Sequence, residues 1–152
     1  MTLTEFKTTS PYNFSPVDII LEWSNQAVEL HYGDQERIQI SKIQTIASES
    51  VDKVVISEIS GKDHTIKEIL TEASRILKKN GRLFIALGKT VGINPFSRLK
   101  AKQKSEQVMT HIEKYVGELD LLIDKNYILQ DDQVLLEVVK LESDYILKKV
   151  VI

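Results

Sequence analysis

Apolar residues fall into short dense runs separated by two stretches of helical spacing, a pattern that predicts a sheet crossed by helices. Val17 to Trp23 is β-branched and apolar over a short span, the pattern of a strand buried on both faces, and Pro11 and Pro16 favour an extended approach to it. Ser24 is placed to cap a short helix over Asn25 to Leu30, which Gly33 would end. Glu36 to Ile40 alternates polar and apolar residues and reads as a strand, followed by a brief irregular or helical piece through Ala47. Val51 to Ile59 is the third strand, and Gly61 to Asp63 is a turn with Asp63 as N-cap. Ile66, Ile69, Leu70, Ala73, Ile76 and Leu77 then draw one apolar stripe along a helix from Thr65 to Asn80. Lys78 and Lys79 suit the negative end of that helix, and Gly81 suits a left-handed terminator ahead of a strand from Arg82 to Leu87.

Gly88 to Lys104, with its two glycines, Pro95 and many lysines, reads as a loop running into a helix start. From Ser105, the positions Val108, Ile112, Val116, Leu119 and Ile123 give a second long amphipathic helix. Two closing strands, Gln133 to Leu141 and Tyr145 to Ile152, form a hairpin through Glu142 to Asp144. Strand and helix alternate and then yield to this hairpin, which predicts an α/β domain with a mostly parallel sheet and an antiparallel C-terminal edge. The domain is expected over residues 17–152, behind an extended lead over residues 1–16.

A chain of 152 residues, 42% hydrophobic and 28% charged, can bury a core without disulfides or metal. Its net charge of -2 gives no broad attraction to nucleic acid or anionic membrane, so any basic surface must be local. The absence of cysteine excludes disulfides, thiolate nucleophiles and cysteine-held zinc or iron–sulfur sites within this sequence. Residues 1–16 lack the pattern of a signal peptide and no apolar run is long enough to span a bilayer, so a cytoplasmic location is expected. The apolar end at Lys149 to Ile152 reads as a strand cut from something longer or tucked into a sheet.

The stretch Ile69 to Ile85 resembles the part of S-adenosylmethionine-dependent methyltransferases in which an arginine, two apolar residues and Lys-Pro-Gly-Gly lead into a strand. Lys79 replaces the proline and Asn80 the first glycine. Glu49 to Ser57 is similar to the strand before it, and the Gln133 to Ile152 hairpin to the way that fold closes. The resemblance implies a Rossmann-like, methyltransferase-type three-layer sandwich, reduced at its N-terminus. The family's cofactor loop needs glycines that let backbone amides approach the ligand, yet Gly33 is the only glycine from Met1 to Ser60. If Val17 to Trp23 were the family's second strand, Glu22 would match the carboxylate that holds the ribose. Residues 1–16 would then have to supply a strand, loop and helix, about 25 residues by ordinary element lengths. If it is the first strand, Ser24-Asn-Gln-Ala supplies no glycine, and Ser41 and Lys42 stand where the family often has an adenine-contacting acid.

The short front, the Arg75-Ile-Leu-Lys run, the Gly81 turn and the size also resemble the N-terminal domain of the anamorsin family of cytosolic iron–sulfur assembly proteins. That resemblance implies a folded domain without cofactor chemistry that serves protein contacts, the clusters being held on a separate cysteine-rich region. Two readings follow: a non-catalytic protein-interaction scaffold that binds no cofactor, or an S-adenosylmethionine-dependent methyltransferase with Glu22, Ser57 and Glu58 as cofactor contacts.

Other motifs add little. Gly88-Lys89-Thr90 has the end of a P-loop, but Leu83 stands where its first glycine is required. His31, His64 and His111 have no metal-ligand partner at helical or turn spacing, so no metal site is expected. Trp23 reads as a core residue before it reads as a stacking platform. Arg98, Lys100, Lys102 and Lys104 form the densest positive cluster, suited to an acidic protein partner; nucleic acid is disfavoured because no aromatics are interleaved.

Overall fold

The computed structural model describes residues 14–24, 27–33, 35–59, 63–87, 95–128 and 133–141. The strands are β1 (Ile19–Trp23), β2 (Val28–Tyr32), β3 (Glu36–Gln39), β4 (Val51–Ile59), β5 (Leu77–Leu87), β6 (Leu121–Ile128) and β7 (Val134–Lys140). The helices are α1 (Asp63–Ile76) and α2 (Pro95–Glu118), with a 3-10 turn at Ile43–Thr45. All seven strands join one sheet in the order β3-β2-β1-β4-β5-β7-β6. β1, β4 and β5 run parallel, while β1–β2, β2–β3, β5–β7 and β6–β7 are antiparallel pairs. The result is the expected α/β, Rossmann-like sheet, but it is not mostly parallel: only β1–β4 and β4–β5 are parallel pairs. The strands β1, β2 and β3 follow one another through short turns that permit only antiparallel pairing, and the antiparallel C-terminal hairpin is β6–β7.

The front of the chain departs from the helix expected over Asn25 to Leu30. Val28 to Tyr32 is a strand in which Leu30 is buried on one face while Glu29 and His31 take the other, a period of two that the sequence reading assigned to a helix. Ser24 caps a chain reversal instead of a helix. Its amide and hydroxyl both donate to the Ala27 carbonyl (3.0 and 3.1 Å), and its hydroxyl accepts from the Ala27 amide (3.2 Å). Gly33 lies in the β2–β3 turn, at φ +60 and with the Pro16 carbonyl 2.5 Å from where a Cβ would stand.

The helix α1 ends four residues before the expected Asn80. The Arg75 and Ile76 carbonyls accept from the Glu49 and Ser50 amides (2.9 Å each), which draws the last turn onto the segment preceding β4. The residue with left-handed backbone is Asn80, at φ 65, not Gly81. Register passes from Val51↔Leu77 to Lys53↔Arg82, so Lys78 to Gly81 bulge out opposite Asp52, and regular pairing starts at Arg82, where the sequence places its strand. Lys78, expected at a helix end, donates to Asp52 Oδ1 at 3.1 Å.

Further along, α2 begins at Pro95, so the expected loop is helical from there, while residues 88–94 lie outside the described residues. The stripe expected to continue through Ile123 stops with α2 at Glu118, and Leu121 to Ile128 is a strand paired with β7. The strand expected over residues 145–152 lies outside the described residues.

Both helices pack on one face of the sheet. Ile66, Leu70, Ala73 and Ile76 of α1 and Val108, Ile112 and Val116 of α2 share a core with Leu21, Val54, Ile56, Leu83, Ile85, Leu136 and Val138. On the other face Ile20, Val55, Phe84, Ala86 and Leu135 form a smaller core, joined by Tyr127 of β6 and, in front of the sheet, Phe14. Arg75 fastens the helix layer to the 3-10 turn: its guanidinium donates to the Ile46 and Ile43 carbonyls at 2.7 and 3.2 Å. Among the described residues no helix is long and apolar enough to cross a membrane.

The two helices are also tied by polar groups. Tyr115 OH donates to Asp63 Oδ2 at 2.5 Å, and His111 Nδ1 lies 2.7 Å from Asp63 Oδ1. The Tyr115 hydrogen bond, helped by the His111, Lys114 and Lys67 charges and opposed by partial burial, lowers the Asp63 pKa. The same bond, with burial and the Asp63 charge, pushes the Tyr115 phenol from its ordinary 10.0 up to about 12. A phenol whose pKa is raised in the folded state contributes stability that is present below the unfolded value and lost as pH rises through the folded one. The wild type is therefore expected to lose its stability advantage over Tyr115→Phe between pH 10.0 and about 12. Denaturant midpoints of the two proteins across that range test this, and a difference that stays constant would contradict it.

Candidate functional site

Open α/β sheets bind ligands beyond the carboxyl ends of their strands, in the crevice that forms where neighbouring connections leave toward opposite faces. Here the relevant neighbours are β1 and β4, whose ends meet at Trp23↔Ile56. The strand β4 continues into α1, on the helix-covered face. The strand β1 returns through Ser24 and Ala27 directly into β2, in the plane of the sheet. In this chain a tight hairpin thus occupies the place where a Rossmann cofactor site has its glycine-rich loop and the N-terminus of the following helix.

The sequence-predicted cofactor contacts are only partly brought together. Ser57, buried, and Glu58 sit at a bulge near the end of β4, where register passes from Ile56↔Ile85 to Ile59↔Leu87. The Glu58 side chain lies outside the described residues. Glu22 belongs to β1, next to β4, and so is not the second-strand acid of the methyltransferase pattern. Its carboxylate is engaged across the hairpin, with Oε1 3.2 Å from His31 Nε2. Arg98, Lys100, Lys102 and Lys104 belong to the first turns of α2, where positions 98 and 102, and 100 and 104, stand one turn apart; their side chains lie outside the described residues.

Sequence neighbours Glu22 and Trp23 point to opposite faces, since strand side chains alternate. Trp23 packs against the main core and, with Ile43 and Ile69, walls a groove of about 550 Å³ between the end of β1, the 3-10 turn and α1. Gln44, Glu68 and Glu72 give this groove a polar margin. Glu22 lies on the other face with Ile20, and there Glu29 is its register partner on β2. His31 Nε2 is 3.7 Å from Glu29 Oε2, and Arg37 Nε of β3 is 3.8 Å from the same oxygen. The sequence reading missed Glu29 and the role of His31 because their partners come from across a strand pair. The period-two run Val28-Glu-Leu-His-Tyr32 was the signal that could have found them.

The sequence matches no protein-family profile and no curated protein. Solved structures similar to it include a Sulfolobus solfataricus protein assigned to the type 11 methyltransferases, at 18% identity and TM-score 0.43, covering 69% of this chain and 59% of that one. An O-methyltransferase family 2 protein from Planctomyces limnophilus is similar at 11% identity and TM-score 0.49, covering 66% of this chain and 33% of that one. Geranyl diphosphate C-methyltransferase from Streptomyces coelicolor is similar at 11% identity and TM-score 0.45, covering 64% of this chain and 48% of that one. The chain thus spans about three fifths or less of these three proteins. Identities and scores this low leave the fold class to rest on the strand order itself.

Proposed function

We propose that this is a methyltransferase-like domain that carries no S-adenosylmethionine chemistry and acts as a protein-interaction scaffold. The observation that carries the reading is the β1–β2 hairpin, which fills the sheet position where a cofactor loop and helix would otherwise begin. The contact of Glu22 with His31 supports it as well, because it turns that carboxylate across the hairpin toward β2. The resemblance of the Arg75-Ile-Leu-Lys run and the Gly81 turn to the anamorsin family supports a scaffold role in cytosolic iron–sulfur assembly as part of this proposal, a role in which this cysteine-free sequence would hold no cluster itself. The alternative, a methyltransferase using Glu22, Ser57 and Glu58, is supported by fold alone.

The partner surface in this proposal is the basic first half of α2, and the partner is an acidic protein. Phe96 and Leu99 in the same turns are 78% and 54% exposed, so this half of the helix presents apolar surface beside its cations. Exchanging Arg98, Lys100 and Lys102 for glutamate is expected to leave the fold intact, slow association with a partner recovered by affinity capture, and flatten the salt dependence of the rate. Association rates against ionic strength provide the test. Equal rates and equal salt slopes for both proteins would remove α2 as the docking surface.

A further inference from the structure

We propose that Glu22, Glu29 and His31 form a binding site for a divalent transition-metal ion of the zinc class. Glu22 and Glu29 are direct register partners on β1 and β2, and like charges placed opposite one another across a strand pair destabilise it. His31 lies two residues beyond Glu29 and therefore on the same face. One donor atom from each of the three residues lies within 4.8 Å of the other two. The Nε2 atom of His31 is 3.2 Å from Glu22 Oε1 and 3.7 Å from Glu29 Oε2. Bonds of about 2.0–2.1 Å in tetrahedral geometry would set ligand atoms roughly 3.3–3.4 Å apart, close to both His31 distances, and the two carboxylate oxygens, within 4.8 Å of each other, would close toward the ion.

The surroundings favour the same occupant. The three side chains are only 15–19% exposed, so water screens the two carboxylates poorly, while enough surface remains for an ion to enter. A dication neutralises both carboxylates at once. The Arg37 guanidinium beside Glu29 belongs to a side chain that is 68% exposed and can turn to solvent when the ion enters. An imidazole with two carboxylates suits zinc and its neighbours better than magnesium or calcium, which prefer all-oxygen shells. Register fixes all three ligands on paired strands, so the site is held by the hairpin itself.

The test is titration of the purified protein with Zn²⁺ by calorimetry and with Co²⁺ by visible absorption, with thermal melts alongside. One ion per chain is expected, at micromolar or tighter affinity, with a raised melting midpoint. Glu29→Gln removes a ligand and the carboxylate repulsion together, so it should fold at least as well as wild type. Glu29→Gln and His31→Gln should each weaken binding by more than the roughly 10–100-fold typical of changes outside the ligand shell. His64→Gln and His111→Gln should leave it unchanged. Failure of the wild type to bind one ion, unaltered affinity in Glu29→Gln, or loss of binding in the His64 or His111 variants would overturn the proposal. Should His31→Gln fail to fold, Glu29→Gln alone decides.

Discussion

Replacing Gly81 by valine is expected to lower the stability of the domain by about 3 kcal/mol, at the upper end of what overpacking costs. A Cβ at Gly81 would stand 2.7 Å from the Lys78 carbonyl oxygen, 3.0 Å from that of Asp52 and 3.0 Å from Leu77 Cδ2. Two of these neighbours are backbone, held by the bulge opposite Asp52, and cannot move aside as a flexible side chain would. The damage therefore begins with the first carbon, and Gly81→Ala should already show most of it. Asn80→Gly should be tolerated, because the left-handed backbone at position 80 suits glycine. Urea midpoints of the three variants provide the measurement. A stable Gly81→Ala would show that close approach of the backbone is not what requires glycine there.

A second large loss is expected from Arg82→Met, about 2–4 kcal/mol, through the group it leaves behind. Glu137 is 1% exposed on β7, its Oε2 accepting from Arg82 Nη1 at 2.5 Å and its Oε1 from Tyr127 OH at 3.2 Å. Arg82 also reaches Asp124 at 2.9 Å, which joins β5, β6 and β7 through one guanidinium. Removing the arginine takes away the cation that offsets the desolvation of this carboxylate beside Phe84. The double variant Arg82→Met, Glu137→Leu should recover much of the loss, since an apolar pair of similar volume fits this face without buried charge. Unfolding curves of the two single variants and the double close the cycle. Equal losses in Arg82→Met and the double variant would mean that the buried charge is not the cause.

The parts of the fold legible in the sequence were those where local pattern and tertiary demand agree. Val51 to Ile59 is rich in β-branched apolar residues, five of its nine positions being valine or isoleucine, and it forms the strand it describes. The stripe from Ile66 to Ile76 becomes the buried face of α1. Illegibility had two physical sources. Ser24 can serve a helix N-cap or a hairpin turn with the same hydroxyl, and the apolar residues on both sides of it, Leu21 and Leu30, are satisfied by pairing in the sheet. Leu119 and Ile123 continue a helical stripe on paper, but β7 offers Leu121 to Ile128 a ladder broken only by a shift between Ile123 and Lys125, and pairing overrides propensity. Pro95 to Lys104 was masked by its lysines and proline, although proline is suited to a first helical turn and lysine, alanine and glutamine are good helix formers. The candidate site was legible only as a missing glycine turn. The cross-strand meeting of Glu22, Glu29 and His31 depends on a register that spacing along the chain does not encode.

The central claim is that the β1–β2 hairpin takes the place of a cofactor loop, and titration of the purified protein with S-adenosylmethionine and S-adenosylhomocysteine by calorimetry tests it most directly. With no glycine turn or helix N-terminus following β1, the account predicts no saturable heat from either compound. Saturable binding with a micromolar dissociation constant, near -8 kcal/mol, would contradict it and restore the methyltransferase.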